Sequence, residues 1–295
     1  MPTAAASLRG PAPDGRRERI VKVIVNADDL GLTAEANRAI RTCMEQGLVC
    51  QTTLVVNSEH TEEGAAIAHE LGCEGRVGLH LNLSECRPLS LAISELPGYV
   101  SNGLLCHMPR FMDKATYGIS PLLTYADAYR TPEFAQEVRA VREEVKAQVD
   151  RFCSLGFEPV HIDSHANQLV DLPVWLAARP VIEDAGFKTM RCTFDSFATD
   201  DLYNEAWRLW LADQRASAGL TCVGYSSSVP RFMRRRAELA AGPEAGQTIE
   251  IYVHPIEVDG VLIDNMTGGR RLDDDLAELE GIERTSFFEL AELAG

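Results

Sequence analysis

The chain has 295 residues, of which 45% are hydrophobic and 24% charged, a globular composition that excludes disorder of the whole chain. Its 28 lysines and arginines stand against 44 aspartates and glutamates, giving a net charge of −16. Because affinity for phosphate groups depends on basic side chains, this charge argues against nucleic acid or an anionic membrane as a partner and favours a small-molecule ligand.

The cysteine spacing and the apolar segments give expectations about redox state and location. The eight cysteines form no CxxC pair, no export signal is visible, and no apolar run approaches the roughly 20 residues of a membrane span. We therefore expect reduced thiols, no membrane insertion and a cytoplasmic protein. Residues 1–19, rich in Arg, Ala, Pro and Gly, are expected to be a disordered tail, and residues 20–295 one domain.

Strand-like and helix-like segments alternate after the tail. Strands are predicted at 20–29, 52–56, 77–83, 160–163, 188–192, 220–224 and 249–253, and helices at 33–46, 61–71, 131–155, 173–185, 203–218 and 274–293. Residues 84–130 lack periodicity and are expected to carry function or a small substructure. The alternation predicts a parallel sheet in a single irregular (β/α) barrel of about seven strands, with an open doubly wound sheet as the alternative.

Polar residues with metal-ligand chemistry follow four of the predicted strands. They are the carboxylates of Asn26-Ala27-Asp28-Asp29-Leu30-Gly31, His80 within Val77–Leu83, the histidines of His161-Ile162-Asp163-Ser164-His165, and His254 before Pro255. Three of the four have a structural alternative: a helix-capping turn for the aspartates, a core histidine for His80, and a strand cap for His254. The histidines of the third motif, at a strand end, by themselves favour a metal or catalytic site. Taken together, one Asp and two His are a familiar three-ligand set, and a second carboxylate and a further His provide a base and an acid. The pattern indicates metal-assisted hydrolysis.

These motifs resemble a known family. NADDLG, then GLVCQTTLVVN, VGLHLNL with a following Pro-Leu, HIDSH and HP occur in the order found in the YdjC-like carbohydrate deacetylases, which include chitooligosaccharide deacetylases. The resemblance implies an α/β barrel akin to the polysaccharide deacetylase fold. It also implies removal of acetyl groups from N-acetylated amino sugars, so that a small carbohydrate is the expected partner.

The resemblance assigns roles to five residues. Asp29, His80 and His165 would ligate a metal, Asp28 would be the base, and His254 the acid. The family implies Mg²⁺, whereas the ligand types also suit Zn²⁺, Co²⁺ or Mn²⁺. Two alternatives remain open at this point: a sugar-binding protein that has lost catalysis, and a metal-dependent phosphoesterase. A homodimer is a further expectation.

The chain departs from the family pattern in two places. After HIDSH it continues with Ala166-Asn167-Gln168-Leu169 rather than with further histidines, and Cys86 and Arg87 stand where a small glycine-containing turn is usual. Both departures concern the surroundings of the ligands rather than the ligands, so they leave the identity of the sugar open.

Overall fold

The computed structural model describes residues 22–110, 125–191, 202–241 and 247–294, so the predicted tail lies outside the described residues. The strands are β1 (Lys22–Leu30), β2 (Gln51–Leu54), β3 (Val77–Leu81), β4 (Val100–Ser101), β5 (Leu104–Leu105), β6 (His161–Ser164), β7 (Thr189–Met190), β8 (Thr221–Cys222), β9 (Tyr225–Ser227), β10 (Thr248–Val253), β11 (Pro255–Val258), β12 (Val261–Asp264) and β13 (Arg270–Arg271). Eight of these form one all-parallel sheet in the order β8-β7-β6-β3-β2-β1-β10-β9.

The sheet curls back on itself. Its edge strands β8 and β9 are consecutive in the chain, and only two residues separate Cys222 from Tyr225. Three steps along an extended chain span at most about 10 Å, so the two edges must lie close together. The predicted α/β barrel class is confirmed, in an incomplete barrel with eight described strands instead of about seven.

Helices cover the outside of the sheet. They are α1 (Ala34–Glu45), α2 (Thr61–Glu70), α3 (Pro132–Ser154), α4 (Leu172–Ala185), α5 (Leu202–Ser217), α6 (Val229–Ala241), α7 (Leu272–Ala277) and α8 (Phe287–Ala294). The hydroxyls of Thr33 and Thr131 accept backbone N–H bonds in the first turns of α1 and α3, at 3.1 and 3.2 Å, which satisfies donors that a helix start leaves unpaired. Within the described ranges, no helix combines the length and apolar character needed to cross a membrane.

The strand ends place the polar motifs together. Because all eight strands are parallel, their C-terminal ends meet at one edge of the sheet. Asp28 and Asp29 lie at the end of β1, His80 on β3, and His254 directly after β10. β3 and β6 pair so that His80 lies beside Asp163, which brings the HIDSH motif to the same edge.

One predicted helix differs from the structure, and some elements were not predicted. The helix expected over 274–293 is wrong: the chain forms α7 and α8, separated by a segment in which Gly281 has a φ of 80°. Strand β9 was not predicted, because a three-residue strand carries too little alternation to be recognised. Helix α6 was not predicted either. The described part of the 84–130 segment contains the β4–β5 hairpin, which agrees with the small substructure expected there, and residues 111–124 lie outside the described residues.

Candidate active site

The turn after β1 brings two adjacent carboxylates to the site. In a regular strand Asp28 and Asp29 would point to opposite faces of the sheet. Here the pairing with β2 shifts register between Ala27 and Leu30, and Asp29 adopts a left-handed conformation with a φ of 74°. An irregularity of this kind changes the direction of a side chain, so both carboxylates come within reach of His80. Gly31 completes the turn at a φ of 81°, where a Cβ would lie 2.7 Å from a backbone oxygen.

Three of the predicted residues converge on one point. Asp29, His80 and His165 each offer one ligand atom, and these atoms lie within 4.8 Å of one another. Oδ1 of Asp29 is 3.4 Å from Nε2 of His80 and 2.9 Å from Nδ1 of His165. His165 begins a 3₁₀ turn, and the two residues after it, Ala166 and Asn167, are left-handed with φ of 50° and 56°. The three side chains come from three separate segments: the end of β1, strand β3 and the turn after β6.

The environment of His80 fits a divalent cation. Its Nδ1 lies 2.5 Å from Oδ1 of Asp163 and 3.1 Å from the Thr53 hydroxyl, while its Nε2 is buried without a hydrogen-bond partner. A carboxylate on one ring nitrogen orients the other toward a metal, and a carboxylate with two imidazoles is a known ligand set with open positions. A cation beside Asp29 would give the unpartnered Nε2 its missing partner.

The electrostatics of the same three residues favour positive charge beside Asp29. Burial by itself would lower the pKa of both histidines, but Asp163 and Asp29 raise the pKa of His80 to about 10, and Asp29 and Glu85 raise the pKa of His165 to about 9. Burial likewise opposes ionisation of Asp29, yet the hydrogen bond with His165 and the nearby imidazole of His80 hold its pKa well below the usual range. That charge is carried by protons on the imidazoles or by a cation in their place.

A second cluster shares His80 but already contains a cation. Asp28, His80 and Asp163 also offer ligand atoms within 4.8 Å of one another. The guanidinium of Arg191 lies 2.6 Å from Oδ1 of Asp28 and 2.8 Å from Oδ2 of Asp163. Because Arg191 neutralises these carboxylates, the cluster that contains Asp29 is the better candidate for a metal.

Arg191 is a site residue that sequence reasoning missed. Its side chain is 4% exposed, and its two Nη atoms donate to the two oxygens of Asp28 at 2.6 and 2.7 Å. Such a bidentate contact fixes the plane of the carboxylate. The signal was present, since Arg191 is a polar residue near the end of the predicted strand 188–192, at the same sheet edge as the histidines.

Glu250 is the second residue that was missed. It is fully buried on β10, accepts hydrogen bonds from Arg191 at 2.8–3.0 Å, and accepts one from the Ser226 hydroxyl at 2.8 Å. Burial raises its pKa to about 7 even though Arg191 acts in the opposite direction. The guanidinium of Arg191 therefore forms ion pairs with three carboxylates, those of Asp28, Asp163 and Glu250.

His254 lies on the other side of Asp28. Its Nε2 is 3.6 Å from Oδ2 of Asp28. Its backbone N–H donates to Oδ1 of Asp264 at 3.3 Å, and its carbonyl accepts the N–H of Asn265 at 3.0 Å. The end of β12 therefore fixes the backbone of His254 and holds its ring beside Asp28.

His161, the other histidine of HIDSH, belongs to the core. It is fully buried, its ring stacks on Phe287 with centroids 3.7 Å apart, and its Nδ1 lies 3.1 Å from the Thr189 hydroxyl. Burial lowers its pKa to about 3, so the ring is neutral. It does not belong to either ligand cluster found among the described residues. The five predicted site residues are neighbours at this edge of the sheet: three form the cluster with Asp29, Asp28 belongs to the second cluster, and His254 lies 3.6 Å from Asp28.

Comparisons with known proteins agree with this arrangement. A chitooligosaccharide deacetylase from Proteus mirabilis is 28% identical over 81% of this chain and 83% of its own length, and one from an Enterobacter species is 29% identical over the same shares. A carbohydrate deacetylase from Vibrio parahaemolyticus is 29% identical over 63% of this chain and 67% of its own length. By their names these relatives remove acetyl groups from carbohydrates.

A solved structure shows the same fold. A protein from Enterococcus faecalis named for cellobiose-phosphate cleavage superposes with a TM-score of 0.62 at 18% identity, over 92% of this chain and 99% of that chain. The family model described as YdjC-like protein matches residues 22–286, which include every candidate residue from Asp28 to His254. The resemblance seen in the sequence motifs is thereby confirmed, and the chain belongs to the YdjC-like protein family.

Proposed function

We propose that the protein is a hydrolase, dependent on a divalent cation, that removes the acetyl group from an N-acetylated amino sugar or oligosaccharide. The observation that carries the proposal is the convergence of Asp29, His80 and His165 next to Asp28 and His254. The names of the curated relatives supply the substrate class.

The cation would be held by Asp29, His80 and His165. When bound, it would supply a Lewis acid that polarises the amide carbonyl and lowers the pKa of water. The family resemblance implies Mg²⁺. Two imidazoles among three ligands instead favour Zn²⁺, Co²⁺ or Mn²⁺, because Mg²⁺ prefers oxygen ligands.

Asp28 is suited to accept the proton of the attacking water. Its Oδ1 accepts bonds from Arg191 and Asn26, whereas its Oδ2 accepts one bond, from Arg191, among the described residues. A carboxylate has about four lone-pair sites, so Oδ2 retains one for a proton. The two bonds from Arg191 fix the plane of the Asp28 carboxylate, so that Oδ2 keeps a constant position relative to the attacking water.

His254 is suited to protonate the leaving nitrogen. Water adds its oxygen to the acetyl carbon, Asp28 takes the water proton, and His254 gives a proton to the amide nitrogen as the carbon–nitrogen bond breaks. The products are acetate and the free amino sugar. With Nε2 3.6 Å from Asp28, His254 faces the same reacting region from the other side.

The two alternatives receive less support from the site. A phosphoesterase needs a free cation to clamp the phosphate, but Arg191 is engaged by three carboxylates. A sugar-binding protein without catalysis would not need a base and an acid, and the distance of 3.6 Å between Asp28 and His254, our proposed base and acid, supports catalysis. We therefore favour the deacetylase.

Cellular location and assembly remain part of the proposal. The seven cysteines in the described ranges are all free thiols, which supports the expected cytoplasmic location. The homodimer stays a prediction, and sedimentation of the full chain measures it.

Acetate release tests the function. We expect the purified full chain to release acetate from N-acetylglucosamine oligomers, to stop when a chelator removes the cation, and to recover when a divalent cation is restored. Asp28→Asn should bind the cation and lack turnover, while Asp184→Asn, a change at an exposed residue of α4, should behave as wild type. A cation-loaded chain that releases no acetate from any N-acetylated sugar would refute the proposal.

A further inference from the structure

The turn after β3 fixes the backbone of Glu85. The side-chain oxygen of Asn82 accepts the N–H groups of Ser84 and Glu85, both at 3.1 Å. The carbonyl of Glu85 accepts the side-chain amides of Asn82 at 3.0 Å and of Asn57 at 3.3 Å. Both asparagines are buried, so the position of Glu85 is set from the interior of the protein.

The next residue is held in an unfavourable conformation. Cys86 has a φ of 66°, in the left-handed region that non-glycine residues rarely adopt. Strained positions of this kind persist where the surrounding structure over-determines them, and they cluster at functional sites. The strain at Cys86 therefore indicates that this turn has a functional role.

The turn directs Glu85 at a candidate metal ligand. Oε1 of Glu85 lies 3.5 Å from Nε2 of His165, whose Nδ1 lies 2.9 Å from Asp29. His80 has the same arrangement, with Asp163 on the ring nitrogen that faces away from Asp29. Each imidazole thus lies between Asp29 and an outer carboxylate.

The two outer carboxylates differ in their surroundings. Asp163 is fully buried and shared with Arg191, whereas the side chain of Glu85 is 54% exposed. Replacement of Asp163 would disturb the buried charge network, but replacement of Glu85 leaves that network intact. Glu85 is therefore the residue at which the effect of an outer carboxylate can be measured by itself.

We propose that Glu85 is a positioning residue for the metal ligand His165. At 3.5 Å from Nε2, its carboxylate is placed to accept the N–H of that atom when Nδ1 binds the cation, which would select the ring tautomer whose Nδ1 lone pair faces the cation. Outer carboxylates of this kind orient ligating histidines and raise their basicity. The inference rests on the cation of the proposed function and adds a residue that no motif of the sequence indicated.

Cation affinity, measured without substrate, tests the role. We expect Glu85→Ala to bind Zn²⁺ and Co²⁺ about 10–100-fold more weakly than wild type in competition with a chelator. Glu85→Gln should be intermediate, because its amide oxygen still accepts the N–H but carries no charge. Glu59→Gln is the matched control, since Glu59 is 89% exposed and contacts His60 rather than a candidate ligand. Metal-free melting curves of all variants should match wild type.

The outcomes separate the two proposals. If wild type binds the cation and Glu85→Ala binds it within about twofold of wild type, the role of Glu85 is refuted while the proposed metal site stands. If wild type binds no divalent cation, the metal-dependent function is refuted and the role of Glu85 with it. Graded weakening from wild type through Glu85→Gln to Glu85→Ala supports the role.

Discussion

Replacement of Arg191 by methionine should destabilise the fold strongly. The guanidinium is 4% exposed and lies 2.6–2.8 Å from carboxylate oxygens of Asp28, Asp163 and Glu250. Removal of one partner from a buried ion pair costs about 3–5 kcal/mol, because the other charge stays buried without compensation. Three carboxylates lose the same cation here, so we expect the upper end, about 5 kcal/mol, out of a typical total of about 5–15 kcal/mol.

Urea unfolding followed by circular dichroism measures this loss. Burial already raises the pKa of Glu250 to about 7 against the effect of Arg191, so without Arg191 that pKa should rise further and protonation of Glu250 should restore stability as the pH falls. The deficit of Arg191→Met should therefore be smaller at about pH 5 than at about pH 8. Arg191→Lys keeps the charge without the fork geometry and should lie in between.

A surface arginine provides the control. Arg41 also contacts two carboxylates, those of Glu45 and Glu70, but its side chain is 40% exposed. Arg41→Met should stay near wild type, because exposed ion pairs are screened by solvent. A value for Arg191→Met within about 1 kcal/mol of wild type at about pH 8 would refute the reasoning about buried charge.

Three further predictions concern neighbouring residues. Because burial raises the pKa of Glu250 from an ordinary 4.5 to about 7, the free energy of unfolding should fall as the pH rises across that interval. Glu250→Gln should remove up to about 3 kcal/mol of this fall, measured from the denaturant midpoints at the lower and upper pH of the interval. Calorimetry should show that His165→Ala weakens cation binding while His161→Ala lowers stability and leaves binding intact; the reverse pattern would make His161 the ligand. Asp264→Ala should lower kcat about tenfold or more, because the backbone N–H of His254 loses its acceptor. Asp264→Asn should retain most of kcat, because its amide oxygen still accepts the N–H of His254. Equal kcat values for the two variants would contradict the role of Asp264.

The sequence predicted the elements that have strong local signals. Helix α3 begins at Pro132 after the capping Thr131, and its apolar stripe, including Val141 and Val145, is buried as expected. The predicted site residues could be found because polar side chains at the ends of parallel strands meet in space. That rule needs the order of the elements and does not need their three-dimensional packing.

The parts that were missed depend on contacts between distant segments. Arg191 directly follows β7 and Glu250 lies within β10, and their pairing across 59 positions has no local pattern. The predicted C-terminal helix failed because the apolar periodicity continues past Gly281, although the chain turns there. Glu85 was missed because its direction is set by Asn57, a residue far away in sequence.

The position of a bound cation tests the account most directly. Crystals of the full chain grown with Zn²⁺, recorded at the zinc absorption edge, locate the ion by its anomalous scattering. The account predicts one ion within about 2.0–2.2 Å of an oxygen of Asp29 and of ring nitrogens of His80 and His165. An ion held instead by Asp28 and Asp163, or no ion at this edge of the sheet, would contradict it.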